Sequence, residues 1–372
     1  MQSNNLPIKI LFFILLVALY HPIYGKNIDT NKSKIQHNLE KKQQDSNTKL
    51  IKMLEQSSLL VAQGEKEKDF NYILDFINNT INIYGEDSEN TILGYLALTR
   101  HYIGFHKFKN ADALFTFIEE IKENRKYENN PILKILILHL KSDIYMKNKK
   151  YKKAYSLLVK AIKISETLEI ESGFRMSLYN SYTQVLTALK RYKEAERIAK
   201  KTLGLYRKTT KNIYDKESLI KVFVNYGGIY EKENNYLLAH KTMDIGLSIL
   251  SHEEALGNLS IPLLNFFLQY AMYSYATQNY EDTIFAAEMA IEIERKLKIK
   301  DKINQPYMWE LTGMSYKKQK KYQKAKKSYE KAIKKLEESH LDDEKKEKVR
   351  IRIKKELNLI ENFILNDLNQ TK

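Results

Sequence analysis

Six aromatic residues recur along this chain at a nearly constant interval. They are Phe108, Tyr151, Tyr192, Tyr236, Tyr280 and Tyr322, separated by 43, 41, 44, 44 and 42 residues. A fixed period of this size marks a structure made by stacking one small unit, because each unit alone is too small to bury its apolar face. The 372 residues, 43% hydrophobic, are therefore expected to form one elongated array rather than several globules.

The clearest copy runs from Gln305 to Glu337. Trp309, Gly313 and Tyr316 fall three or four residues apart, as do Tyr322, Ala325, Tyr329 and Ala332, with a lysine-rich turn between the two sets. That spacing predicts two amphipathic helices in a hairpin. Gly313 and Ala325 allow a close helix approach, while Trp309, Tyr316 and Tyr329 fill the space around them. Comparable sets are Phe223, Gly227, Tyr230 and Ala239; Tyr145, Ala154 and Ala161; and Tyr95, Tyr102, Ala111 and Phe115. Looser sets are Tyr179, Tyr182 and Ala195, and Phe267, Ala271 and Ala290, with a weak seventh pair around Phe70. Pro131, Pro262 and Pro306 each fall just before a first helix, where a missing N–H costs nothing.

The spacing Trp309, Gly313, Tyr316, Ala325, Tyr329, Ala332 resembles the tetratricopeptide repeat, with Glu337 where that family usually has proline. The resemblance implies an all-α, right-handed superhelical solenoid over residues 49–340, clearest over 91–337. A period longer than the usual ~34 residues implies about one extra turn per helix. Long-repeat arrays of this kind look like those of bacterial peptide-sensing regulators and of the cargo-binding light chains of motor proteins. Fold alone does not set function.

Outside the array, residues 1–25 combine a single Lys, an apolar run from Ile10 to Tyr20 and a small residue at Gly25, which predicts a secretory signal peptide cleaved after Gly25. Ile23 is not ideal at the third position before the cut, so an uncleaved anchor is the alternative. Residues 26–48 read as a flexible polar spacer. Residues 341–372 predict a helix whose stripe Val349, Ile353, Leu357, Ile360, Ile364 and Leu368 caps the last repeat. A dimerising coiled coil is the other reading of that stripe.

Catalytic chemistry is not evident. The chain has no cysteine, which excludes disulfides and thiolate sites. His101 and His106, five apart, lie on different helix faces, and His252 adjoins Glu253 and Glu254 in a polar turn. Solvent exposure is the expected state of the histidines. Gly227-Gly228 lacks the rest of a phosphate loop, and the acidic pairs Glu119-Glu120 and Asp342-Asp343 lack a partner to tune them. No enzyme, cofactor or metal is expected.

Two surfaces remain for binding. In the tetratricopeptide family, ligands lie along a concave face of first helices. The resemblance implies that a protein or peptide meets Leu96, Arg100, His139, Asp143, Asn180, Gln184, Val224, Gly228, Leu268, Met272, Glu310 and Met314 there. The repeated Lys and Asn of a carboxylate clamp are absent. The second surface is Lys317–Lys335, where ten of nineteen residues are Lys. It does not recur around Tyr236 and Tyr280, so a nucleic-acid track is not expected. An anionic envelope polymer or lipid head group suits it, as does plain solvation, since the net charge of +16 comes with the Lys, Asn, Ile and Tyr that an AT-rich genome supplies. The combined expectation is an exported scaffold of the bacterial envelope, with a ligand-sensing module as alternative.

Overall fold

The computed structural model describes Leu60 and residues 65–370, except 106, 125–130, 169–171, 210, 212, 258 and 300–302. The leader and spacer at 1–48, and His106, lie outside the described residues. Among the described residues the regular structure is all helical. A helix α1 (Lys66–Tyr84) precedes six hairpins. These pair α2 (Glu89–Gly104) with α3 (Phe108–Asn124), α4 (Pro131–Lys147) with α5 (Tyr151–Glu166), and α6 (Ser172–Ala188) with α7 (Tyr192–Tyr206). They continue with α8 (Ile213–Lys232) and α9 (Tyr236–His252), α10 (Ile261–Ala276) and α11 (Tyr280–Lys296), and α12 (Asn304–Lys318) and α13 (Tyr322–Glu337). A last helix, α14 (Asp343–Gln370), follows.

Each of the six periodic aromatics is the first residue of a second helix. Three residues on, Ala111, Ala154, Ala195, Ala239, Thr283 and Ala325 are all 0% exposed, so the repeat is one of environment as well as of residue type. Hairpin helices of 15 to 20 residues account for the long period.

The turns inside the last five hairpins share one geometry. Lys149, Lys190, Asn234, Gln278 and Lys320, each two residues before its aromatic, adopt left-handed φ values of 58°, 61°, 58°, 65° and 59°. The next residue then donates its N–H back into the last turn of the first helix: Lys150 to Tyr145 O at 2.7 Å, Arg191 to Leu186 O at 2.9 Å, and Asn235 to Tyr230 O at 2.8 Å. Asn279 to Ser274 O at 2.8 Å and Lys321 to Tyr316 O at 2.9 Å repeat the bond. This is the Schellman closure of a helix C-terminus, with a left-handed residue satisfying orphan carbonyls. Lysine there also complements the negative end of the helix dipole. The prolines fall as expected: Pro131 opens α4, Pro262 lies in the first turn of α10 behind the Ser260 N-cap, and Pro306 lies in the first turn of α12.

The chain divides into two compact units, one ending at Ser218 and one beginning at Leu219. The core of the first joins Ile73 and Phe76 of α1, Ile92 and Leu96 of α2, Ile135 and Leu136 of α4, and Phe174 of α6. In the second unit, Ala325, Tyr329, Ala332 and Leu336 of α13 pack on Val349, Ile353 and Ile360 of α14. Leu357 and Ile364 border that contact, and the Leu368 side chain lies outside the described residues. Asp342 caps α14 by accepting from the Lys345 N–H at 2.9 Å.

Glycine sets how closely the helices approach. A Cβ on Gly313 would lie 3.1 Å from three atoms of the Tyr329 ring. One on Gly227 would come 2.2 Å from Met243 Cε and 2.9 Å from the Tyr273 ring, whereas one on Gly228 would meet nothing within 4 Å. Gly227→Ala is therefore expected to destabilise the protein by roughly 1–3 kcal/mol through overpacking. Gly228→Ala is expected to stabilise it by about 0.5–1 kcal/mol, since mid-helix glycine only loses entropy there. Denaturant unfolding of both variants measures the difference in sign.

The buried tyrosines make the fold alkali-sensitive. Burial pushes the Tyr95 hydroxyl up to about 12, with Glu86 adding to it. Burial likewise raises Tyr270, Tyr273 and Tyr329. These groups ionise near pH ~10 in the unfolded chain. With the folded pKa raised, their stabilisation is intact below about pH 10 and is lost as pH climbs toward 12. Helical circular dichroism and tyrosinate absorbance followed together should show late ionisation coincident with unfolding.

Candidate functional site

Stacking like units brings residues one period apart into contact, and this decides what the first helices present. In the first unit, His139 on α4 is buried, with Nε2 2.7 Å from Ser181 Oγ on α6. Asn180 on α6 is buried and donates from Nδ2 to the Ser218 carbonyl at 3.1 Å. Asp143 is buried and Gln184 half-buried. The Arg100 guanidinium is lowered to about 10 by burial, against the opposing pull of Asp69, Asp143 and Glu217. Leu96 belongs to the core. Of the positions expected to line an open face in this unit, His139, Asp143 and Asn180 are thus buried polar groups, Leu96 is core, and Arg100 and Gln184 are half-buried.

In the second unit the outcome is mixed. Val224 and Glu310 are buried, and Glu310 accepts a bidentate pair from Arg352 of α14, Nε to Oε1 at 2.6 Å and Nη2 to Oε2 at 2.7 Å. Leu268 is half-buried, and Met314 packs beside Trp309 against the α13–α14 cluster. Met272 on α10 is 46% exposed. Gly228 on α8 has open space where a side chain would stand. Gly228, Met272 and Met314 occupy equivalent positions of three successive first helices, and α10 and α12 pack side by side.

The residues read as packing positions lie at and around the helix contacts. Ala239, Ala325, Tyr329 and Ala332 are fully buried, Gly227 and Gly313 take the close contacts, and Tyr230, Trp309 and Tyr316 are half-buried around them. The lysine-rich stretch is partly structural. Lys317 pairs with Glu356 at 2.6 Å and Lys326 with Glu361 at 2.8 Å, both on α14, and Lys335 pairs with Glu338 at 2.7 Å. Lys331 lies 4.2 Å above the Trp309 ring and Lys324 5.6 Å from the Tyr316 ring. Lys320, Lys327 and Lys334 are exposed.

The histidines depart from expectation. His101, His139 and His240 are buried, not solvated. His101 bonds through Nδ1 to Asp69 of α1, and Phe70, Tyr102 and Phe105 surround its ring. Helix-face arguments within one helix miss this pair, whose partners are 32 residues apart.

The tetratricopeptide repeat profile matches residues 136–168 and 306–334, which fall on α4–α5 and α12–α13. No curated protein matches the chain. Solved structures do. The apo form of RapI superposes with a TM-score of 0.59 at 15% identity, covering 81% of this chain and 79% of that one. A Rap protein complexed with competence and sporulation factor gives 0.50 at 15% identity, covering 79% and 77%. Cut9–Hcn1 of the APC/C gives 0.51 at 12% identity, covering 82% of this chain and 49% of that one.

Removing Arg352 should expose the weight of its pair with Glu310. Arg352→Ala leaves a buried carboxylate without its fork, and a loss of roughly 1–3 kcal/mol is expected. Adding Glu310→Gln should recover part of it, as a double-mutant cycle by denaturant unfolding would show. Two hairpins of the chain, α4–α5 and α12–α13, thus match the tetratricopeptide repeat in sequence, and its helical fold is like that of RapI.

Proposed function

We propose that this protein is a non-enzymatic scaffold that binds a protein or peptide along the first-helix face of its second unit. The observation that carries the reading is the succession Gly228, Met272 and Met314: open space, an exposed thioether and a half-buried thioether at equivalent places on α8, α10 and α12. Flexible, polarisable methionines adapt to varied apolar side chains, and a glycine leaves room for backbone. In the first unit the equivalent positions His139, Asp143 and Asn180 are buried and so offer no adaptable lining. The exposed Lys320, Lys327 and Lys334 supply a second contact, with an anionic polymer or lipid head group.

Export to the bacterial cell envelope is part of the proposal and rests on the leader at 1–25. No helix among the described residues is long and apolar enough to cross a membrane.

A sensing role is the second reading. It is favoured by the likeness to RapI and to a Rap protein whose structure holds competence and sporulation factor. On this reading the ligand alters the array and a separate protein reads the change.

Capture from host extract on the immobilised protein tests the binding face. Gly228→Trp and Met272→Asp are expected to lower recovery of the specific partner at least tenfold with helical content unchanged. Ile245→Lys, on the second-helix face, should leave recovery intact. Equal recovery by all three variants would remove the proposed face, and N-terminal sequencing of the protein from its host checks cleavage after Gly25.

A further inference from the structure

One side-chain cluster of the second unit is not used by packing or by the binding face. Helix α9 carries His240 and Asp244, four residues apart and so on one face. Asp282, in the first turn of α11, lies one repeat period beyond His240 and meets the same ring. Asp244 Oδ2 is 3.3 Å from Nδ1, and Asp282 Oδ2 is 3.3 Å from Nε2. One donor atom from each of the three residues lies within 4.8 Å of the others. The imidazole is 7% exposed while both carboxylates are 45% exposed, so the cluster is rooted in the protein and opens to water on one side.

Three features ask for a cation here. Neither carboxylate has a Lys or Arg ion-pair partner among the described residues, although the chain carries 62 Lys and Arg. The ring, 7% exposed, meets a carboxylate at both of its nitrogens, while the Asn279 amide nitrogen, 3.4 Å from Nε2, has its own acceptor in Thr277 Oγ1 at 3.0 Å. Finally, Asp244 is held in place, since the Tyr270 hydroxyl donates to its Oδ1 at 2.6 Å.

We propose that His240, Asp244 and Asp282 form a site for a divalent transition-metal ion of the zinc class. One imidazole nitrogen with carboxylate oxygens is a donor set for Zn²⁺, Co²⁺ or Ni²⁺ rather than for Ca²⁺, which takes oxygen donors only. A metal about 2.1 Å from each donor sets neighbouring donors roughly 3.4 Å apart in a tetrahedron; the carboxylate beside the liganded nitrogen already stands 3.3 Å from it, and the other lies within the 4.8 Å over which one donor atom of each residue is gathered. The ion takes one ring nitrogen, and the half-exposed carboxylates rotate the remaining distance. Three protein ligands leave a fourth position to water. Tyr270 supplies the outer hydrogen bond that orients a ligand. A bound ion would also tie α9 to α11 across successive hairpins.

The test is calorimetric titration of the chelator-treated full chain with ZnCl₂, alongside thermal melts in Zn²⁺, Mg²⁺ and Ca²⁺. One equivalent of Zn²⁺ is expected, with a rise in Tm that Mg²⁺ and Ca²⁺ do not give. His240→Ala and the near-isosteric Asp282→Asn should each weaken Zn²⁺ at least tenfold, while His252→Ala, at an exposed histidine, should not. No bound Zn²⁺, or binding indifferent to Asp282→Asn, overturns the site. A Tm indifferent to Zn²⁺ also overturns it.

Discussion

The packing of the second unit depends on an aromatic or thioether side chain meeting a helix that has no side chain to offer. Gly313 lies on the ring of Tyr329, Gly227 faces Met243 and Tyr273, and Gly246 faces Phe223 and Phe266. These contacts bring helix axes close enough for the flanking apolar residues to exclude water, which is where most of the favourable free energy of burial arises. A methyl group at such a place does not merely fill a gap. It pushes two helices apart along their length, and the next hairpin inherits the error.

The same stacking explains why contacts recur at one repeat length. His139 with Ser181, Tyr273 with Glu231, and Arg352 with Glu310 are each 42 residues apart. Equivalent positions of neighbouring hairpins face each other, so a polar residue on a first helix is satisfied by its counterpart one unit on. Buried polar groups need such partners. The array thus has polar seams as well as apolar ones, and the charge on α14 that holds Glu310 completes the last seam where no further hairpin is described.

Much of this was legible in the residues. The six aromatics mark second-helix starts, five of them half-buried and Tyr236 40% exposed, and the small residue three positions later, alanine in five and Thr283 in the sixth, reads directly as the close contact. The three prolines located first turns for the same local reason. The ligand-facing positions were less legible. Whether Asn180 or Met272 is open depends on what a later helix places against it: the Ser218 carbonyl meets Asn180, whereas Met272 stays 46% exposed. Spacing within one helix carries no such information. The lysine turns were visible as charge, while their backbone role was not, since lysine is not the residue usually associated with a left-handed corner.

Those corners have a consequence for how such a chain changes length. Lysine, asparagine and glutamine all occupy the same bend, so the bend does not require a particular residue at its apex. A splice joining one corner to the next preserves the backbone path on both sides. Deleting or duplicating a cassette between Lys149 and Lys190, or between Asn234 and Gln278, would leave a junction of the kind already present. The array is in this sense written in interchangeable segments, and recombination at its turns can lengthen or shorten it without inventing a new joint.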